Sequence, residues 1–282
     1  MREKIRSEGL RIVGLRERHE VDQGIDKSER HDHAIEIKNA TLRYPLGPAI
    51  RGSLKTNLFS LFGHREVLPR PEHIDAITNM DLTIVAGERI GIIGSNGSGK
   101  STLLRVMAGV YPLKKGSVTV VGQIGTLLDI SLGFETESTG RENIYYRGMA
   151  MGYSRREIAA AEAEIVEFAS LGDFVDLPMR TYSSGMYVRL GFAVSTQFQP
   201  DVLLIDEIFG AGDASFAARA LERMKSIVRN AGIVVMASHD MSLIQNLCTR
   251  VLWVDRGQIA ADGAPAAVIP QFIDHMAERP NA

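Results

Sequence analysis

The run Gly94-Ser95-Asn96-Gly97-Ser98-Gly99-Lys100-Ser101 has the residue types and spacing for one kind of chemistry, the binding of phosphate. Its glycines let the backbone curl so that successive N–H groups converge on anionic oxygens. An apolar run, Ile90 to Ile93, precedes it, and Leu103, Leu104, Val106 and Met107 follow at helical spacing. Strand, glycine-rich loop and helix is the order that a P-loop requires. The helix adds the positive end of its dipole. In that arrangement Lys100 reaches the β- and γ-phosphates of a nucleoside triphosphate, and the Ser101 hydroxyl ligates Mg²⁺. The alternative is a glycine-rich turn with a chance lysine, and the flanking strand and helix argue against it.

Two further clusters carry chemistry. Val202 to Ile205 is fully apolar and ends in Asp206-Glu207, which reads as a buried parallel strand with two acids at its carboxyl end. Open α/β sheets hold their ligands at those strand ends. Asp206 is then positioned for the Mg²⁺ shell, and Glu207 for orienting or deprotonating a water. The bland alternative is an acid pair capping a strand. Ile233 to Ala237 is another buried strand, followed by Ser238-His239-Asp240. His239 there is either a satisfied surface residue or a contact to a γ-phosphate, and its strand-end position favours the contact.

Around these residues the chain divides by composition. Met1 to His33 mixes eight Lys/Arg with eight Asp/Glu and reads as a charged, mobile extension over 1–33, a short helix at Leu10 to Arg18 being the lesser alternative. An α/β core spans 34–132 and 200–282. In it Ile35, Ile37 and Leu42 alternate with charged residues as an edge strand, which Tyr44-Pro45 ends because proline has no amide to donate. By spacing alone Tyr44 is a strand-end aromatic. A basic insertion, 45–73, carries an amphipathic pattern from Ile50 to Phe62. That helix either packs on its own domain or serves a partner or membrane surface. Ile74 to Val85 is a second strand, and Val118 to Val121 with Ile124 to Leu128 reads as a hairpin around Gly122-Gln123. Between the core segments, 133–199 is helical in pattern: Gly140 to Met151, Ser154 to Ser170 with a Ser154/Glu157 cap, and Ser183 to Phe198.

The chain has 282 residues, 45% hydrophobic and 23% charged, which is the composition of a globular protein. A formal charge of −2 argues against a nucleic-acid footprint over the whole chain. Cys248 is the only cysteine, so no intrachain disulfide forms; its apolar neighbours make it a packed thiol, and a reducing cytoplasm fits. No run of 18 apolar residues and no N-terminal secretion segment occur.

Taken together, these pieces resemble the ATP-binding subunits of ABC transporters, from about Ala34 to the C-terminal helix. The resemblance implies an ABC-type P-loop NTPase core with an antiparallel β region and an inserted helical subdomain. Gly94 to Ser101 matches the Walker A motif, Val202 to Asp206 matches Walker B, and Glu207 stands as the catalytic glutamate. Gly210-Ala211-Gly212-Asp213 matches the D-loop and His239 the switch histidine. Tyr44 matches the adenine-stacking aromatic, which reverses the reading from spacing. The resemblance implies ATP contacts by Tyr44, Gly94, Ser95, Asn96, Gly97, Ser98, Gly99, Lys100, Ser101 and Thr102, with Ser101 and Asp206 on Mg²⁺. It also implies a head-to-tail pair of copies, each presenting Ser183, Ser184, Gly185 and Asp213 to the other's ATP.

The signature Tyr182-Ser183-Ser184-Gly185-Met186 replaces the usual Leu-Ser-Gly-Gly-Gln. With Leu132-Gly133-Phe134, Thr139-Gly140-Arg141-Glu142-Asn143-Ile144 and Asp206-Glu207-Ile208, it resembles the exporters of O-antigen, capsule and teichoic acid. The chain departs from the family in having no glutamine near Asp129 to Ser131, where Asp129 and Glu135 are the candidate substitutes. It also stops before the carbohydrate-binding domain that some such exporters carry. The expectation is an ATPase subunit powering export of a lipid-linked polysaccharide through a membrane-spanning permease, seated on the cytoplasmic face of the inner membrane, with no nucleic-acid partner. Export of a lipid or drug, and a soluble remodelling ATPase, are the alternatives.

Overall fold

The computed structural model describes residues 10–13, 35–45, 73–128, 130, 133–206 and 214–278. In chain order the elements are β1 (Leu10–Val13), β2 (Ile35–Pro45), β3 (His73–Ile84), β4 (Arg89–Ile93), α1 (Lys100–Met107), β5 (Lys115–Val121) and β6 (Ile124–Leu127). Three helices follow: α2 (Gly140–Ala150), α3 (Arg155–Ala169) and α4 (Ser184–Ser195). The chain continues through β7 (Val202–Asp206), α5 (Ala214–Asn230), β8 (Ile233–Ala237), α6 (Met241–Leu247), β9 (Arg250–Asp255), β10 (Gln258–Gly263) and α7 (Pro265–Glu278). The strands form a four-stranded sheet in the order β1-β5-β2-β3 and a six-stranded sheet in the order β10-β9-β4-β8-β7-β6.

In the six-stranded sheet, β9, β4, β8, β7 and β6 are parallel and β10 is antiparallel to β9. Strands covered on both faces read as continuous apolar runs, and β8 (Ile-Val-Val-Met-Ala) is buried at every position. Helix α1 lies between the two sheets. Its Leu103, Leu104 and Met107 are fully buried against Ile37, Ile84 and Val118 on one side and Ile92, Leu204 and Val235 on the other. Each such side chain contributes about 1.5–3 kcal/mol of transfer free energy. The far face of the six-stranded sheet is covered by Phe216 and Met224 of α5, Ile244 of α6 and Phe272 of α7.

Three expectations from the sequence are corrected here. Strands β5 and β6 do not form a hairpin: β5 pairs with β2 and β1, while β6 pairs with β7 in the other sheet. The chain crosses between sheets at Gly122-Gln123, where Asp201 Oδ2 accepts the Gln123 amide at 2.8 Å and the Asp201 amide donates to the Gln123 carbonyl at 2.9 Å. Strand β2 is not an edge strand, since β3 and β5 flank it. Its alternating pattern reflects one buried face and one solvated face, which an interior antiparallel strand also has. Leu10–Val13, within the stretch read as a mobile extension with a short helix as the lesser alternative, is a strand parallel to β5. The call of an insertion over 45–73, its helix at Ile50 to Phe62, and the rest of the N-terminal extension lie outside the described residues.

Helices α2 to α4 bury a cluster of their own, including Ile144, Ile158, Ile165, Leu190 and Val194. Capping boxes open α2 (Thr139 with Glu142) and α3 (Ser154 with Glu157, as expected from sequence). Tyr182, at the head of α4, is buried and donates from its hydroxyl to the Phe174 carbonyl at 2.8 Å. The same hydroxyl lies over Gly140, where a Cβ would stand 2.1 Å from it. The Thr139-Gly140 and Tyr182-Ser183 motifs, distant in the chain, are thus one packed unit. Gly140→Ala therefore destabilises the protein by about 1–3 kcal/mol through overpacking. In a Tyr182→Phe background, which removes the obstructing oxygen, the same substitution costs clearly less. Chemical unfolding of the four variants checks this, and strict additivity of the two changes would refute it.

Candidate functional site

The P-loop closes on itself through backbone and lysine. Lys100 is buried, and its Nζ donates to the carbonyls of Gly94 and Ser95 at 2.8 and 2.9 Å. Gly99, the N-cap of α1, has φ 112°, and Gly97 has φ 77° with open space where a Cβ would be. No side chain caps α1, and its first turn has no acidic residue. The positive end of the helix is thereby left for an external anion. Ser98 Oγ is buried and, among the described residues, has no hydrogen-bond partner. An open glycine cradle, an uncapped helix start and an orphaned hydroxyl fit a bound polyphosphate.

The register of the parallel sheet decides what lies beside this loop. Ile92 of β4 pairs with Ala237 of β8, and Ala237 pairs with Asp206 of β7. The P-loop, Ser238-His239 and Asp206 therefore leave one sheet edge from three adjacent strands. Asp206 is half-buried and His239 exposed. Asp240 has a different job: its Oδ1 caps α6 by accepting the amides of Ser242 and Leu243 at 2.9 and 3.1 Å. Ser101, half-buried in the first turn of α1, and Asp206 supply a hydroxyl and a carboxylate. Among the described residues there is no cluster of three or more metal-binding side chains. So sparse a donor set suits Mg²⁺ that arrives with phosphate oxygens as its other ligands. Glu207, the segment Gly210 to Asp213, and Asp129 lie outside the described residues.

The signature residues stand apart on the helical unit. Ser183 is the N-cap of α4, its Oγ accepting the Met186 amide at 3.3 Å. Ser183 and Ser184 are exposed. A Cβ on Gly185 would meet nothing nearer than Ser183 Oγ at 3.9 Å, so packing within this chain does not demand the glycine. Glu135 is exposed and its Oε1 accepts the Glu137 amide at 3.2 Å, within a loop that α2 organises. Asn143, fully buried, holds that loop: its amide donates to the Glu135 and Thr139 carbonyls, each at 2.9 Å, and its Oδ1 accepts the Glu135 amide at 2.8 Å. Cys248 is buried, and desolvation pushes its thiol up to about 12, which makes it inert as expected.

Tyr44 closes β2 beside α1, with its phenol oxygen 3.4 Å from Thr102 Oγ1 and its ring edge-to-face with Tyr111 at 5.6 Å. Burial raises its pKa above the ordinary phenol value. Two roles that matter here, those of Gly257 and Asn143, were not read from the sequence. Gly257, in the β9–β10 turn, donates its amide to the Ser98 carbonyl at 2.8 Å and accepts the Thr78 amide at 2.9 Å, tying the P-loop to β3. The pair Arg256-Gly257 was a visible turn signal, but nothing local says what the turn touches. Asn143 carried no such signal, since a buried amide and a solvated one look alike in sequence. A cavity of about 230 Å³ adjoins the P-loop on the β9 side, walled by Trp253, Phe272 and His275.

Comparison with known proteins matches residues 77–210 to the ABC transporter family model. The chain is 43% identical over 226 residues to the O-antigen export system ATP-binding protein of Yersinia enterocolitica, covering 79% of this chain and 95% of that one. It is 42% identical over 199 residues to the O-antigen export system ATP-binding protein of Myxococcus xanthus, covering 71% of this chain but only 46% of that longer protein. Among solved structures, an ATP-binding cassette dimer bound to ADP and phosphate matches with a TM-score of 0.61 at 20% identity, over 82% of this chain and 98% of that one. This likeness extends to the fold just described, with its P-loop helix between two sheets. On the strength of the Yersinia match over nearly its whole length, the chain belongs to the ABC transporter family as one of its ATP-binding cassettes.

Proposed function

We propose that this chain is the ATP-hydrolysing subunit that powers export of a lipid-linked polysaccharide through a separate membrane-spanning partner. The observation that carries the proposal is the meeting of P-loop, Asp206 and His239 at one sheet edge. It occurs in a chain so close to an O-antigen export ATP-binding protein. Among the described residues no helix is long and apolar enough to cross a membrane, which supports a peripheral subunit that reaches the inner membrane through its permease.

In this reading the residues divide the labour. Backbone amides of Gly94 to Gly99 and the start of α1 hold the phosphates of ATP, and Lys100 sits over them as a cation. Ser101 and Asp206 hold Mg²⁺, which when bound supplies positive charge against the charge developing on the γ-phosphoryl group. Glu207 orients the attacking water and accepts its proton, while His239 contacts the γ-phosphate. Tyr44 stacks on the adenine. Ser183, Ser184, Gly185 and Asp213 complete the site of a second copy, head to tail. The open surroundings of Gly185 and the exposure of both serines support that role. In this reading 34–132 with 200–282 is the catalytic core, to which Leu10–Val13 adds a strand, and 133–199 is a subdomain that carries the signature to the other copy.

Glu207→Gln is expected to retain ATP binding and to lose hydrolysis by about 10²-fold or more, with an ATP-bound dimer accumulating on size-exclusion chromatography. Near-normal turnover would assign the base elsewhere. Mixing Lys100→Ala chains with Ser183→Arg chains is expected to restore ATPase activity, because one of the two sites in the mixed dimer has both halves intact. Activity no higher than either parent would count against the shared site. In cells, deletion of the gene is expected to remove glycan from the surface and leave lipid-linked glycan inside, with Lys100→Ala unable to rescue. Normal surface glycan, with no second exporter present, would sink the polysaccharide reading and leave the ATPase reading standing.

A further inference from the structure

We infer that Tyr111 is a positioning residue for nucleotide binding, bracing the Tyr44 ring in the orientation in which it receives the base. The inference rests on the proposed role of Tyr44 and adds a residue to it. The geometry begins at the end of α1. Helix α1 stops at Ala108, and Gly109, with φ 74°, turns the chain back. The amides of Val110 and Tyr111 then both reach the Arg105 carbonyl, at 2.9 and 3.4 Å. That return brings Tyr111 against the same buried cluster as Tyr44, alongside Ile77, Leu104 and Met107. The two rings meet edge to face, 5.6 Å between centroids and 84° between planes. An edge-to-face pair fixes the orientation of a ring as well as its position.

The far end of Tyr44 is held too. Its phenol oxygen lies 3.4 Å from Thr102 Oγ1, in the first turn of α1, one residue past Ser101. Tyr44 thus spans from the end of β2 to the phosphate-binding end of α1, with Tyr111 against its side. A lone aromatic at the end of a strand rotates about χ1 and loses that freedom when a base stacks on it, a cost of order one kcal/mol or less in general. A ring already held by a second ring has lost that freedom beforehand. The bracing needs the ring of Tyr111 but not its hydroxyl, so phenylalanine suffices there and leucine, though it still fills the apolar site, does not.

The test is calorimetric binding of two ligands, ATP and inorganic tripolyphosphate, to full-length protein. Tyr111→Leu is expected to weaken ATP binding about three- to tenfold and to leave tripolyphosphate binding unchanged, since only the base is recognised through Tyr44. Tyr111→Phe is expected to bind ATP like the unaltered protein. Tyr44→Leu is expected to show a loss of its own, with Tyr44→Leu/Tyr111→Leu no weaker than Tyr44→Leu alone. Equal losses for ATP and tripolyphosphate in Tyr111→Leu would mean a general disturbance of α1 and would overturn the inference. So would ATP binding unchanged in Tyr111→Leu, or in Tyr44→Leu. Failure of the ATPase reading is a separate result: the unaltered protein would bind neither ligand.

Discussion

The arrangement at the P-loop depends on backbone hydrogen bonds rather than on side-chain packing. The Ser98 carbonyl accepts the Gly257 amide, and the Gly257 carbonyl accepts the Thr78 amide. This two-bond relay joins the loop to the β9–β10 turn and to β3, elements from both sheets. Lys100 adds the third tie by folding back onto the Gly94 and Ser95 carbonyls. Backbone partners suit such a loop, because its own amides must stay available to a ligand while its carbonyls are satisfied from behind. Apolar packing could not do this, since a glycine-rich loop has almost no side-chain surface to bury. The loop inherits its rigidity from α1 and β4, whose buried leucines and isoleucines lie within the largest cluster of the molecule.

The helical unit joins the core through aromatic packing, Phe168 of α3 and Phe192 of α4 meeting Phe216 of α5 edge to face at 5.6 and 5.9 Å, and through directional contacts around it. Phe168 of α3 lies between two arginines of α5, with the Arg223 guanidinium carbon 4.4 Å and that of Arg219 5.5 Å from its ring centroid. Arg223 also binds Glu164 and Gln197, at 2.9 and 2.6 Å, and Arg219 binds Ser170 Oγ at 3.0 Å. Cation–π and hydrogen-bonded contacts of this sort are directional but bury less apolar area than a core does. Helix α5 begins where the segment after Asp206 ends. The arginine–phenylalanine clamp is therefore a short path between the acid-bearing strand β7 and the helices that carry the signature. At the other end, Arg147 of α2 stands over Phe134 at 5.1 Å and binds Ser195 of α4 at 3.1 Å, bracing the loop that follows β6.

What was legible in the sequence was short in range. The P-loop, the Asp206 strand, the Ser154 cap and the three helices between 140 and 195 all declare themselves within a few residues, through glycine spacing, apolar runs and capping pairs. That the P-loop, Asp206 and Ser238-His239 leave neighbouring strand ends was readable for the same reason, because the carboxyl ends of parallel strands converge whatever their order. Partner choice between strands was not legible. Val118 to Leu128 has the composition of a hairpin, with a glycine at its centre, and the distant Asp201 and Val202 hold Gln123 in the crossing between sheets. Strand β2 looked like an edge because charged residues are interspersed with its apolar ones, yet an interior antiparallel strand with one wet face has the same alternation. Leu10–Val13 is four residues long and pairs with a strand more than a hundred positions away, beyond the reach of any local pattern.

The signature motif shows how a departure from a family pattern acquires a physical reason. A tyrosine where leucine is usual in the family carries a hydroxyl into a buried place, which costs free energy unless a partner accepts it. The Phe174 carbonyl is that partner, and the hydroxyl's path crosses Gly140, the first position of α2, which has no side chain. A larger residue at 140 is therefore incompatible with the tyrosine, whereas a leucine at 182 leaves the Phe174 carbonyl with the Leu177 amide, at 3.0 Å, as its donor. Thr139, which caps α2, and Ser183, which caps α4, flank this contact on either side. The hydroxyl works beside backbone bonds between the same segments, Met179 amide to Ser138 carbonyl and Arg180 amide to Thr136 carbonyl, each at 2.9 Å, and together they lock the two helix starts to each other. The position of Ser183 and Ser184 relative to the rest of the helical unit is set by that lock rather than by the serines themselves, which touch little of their own chain.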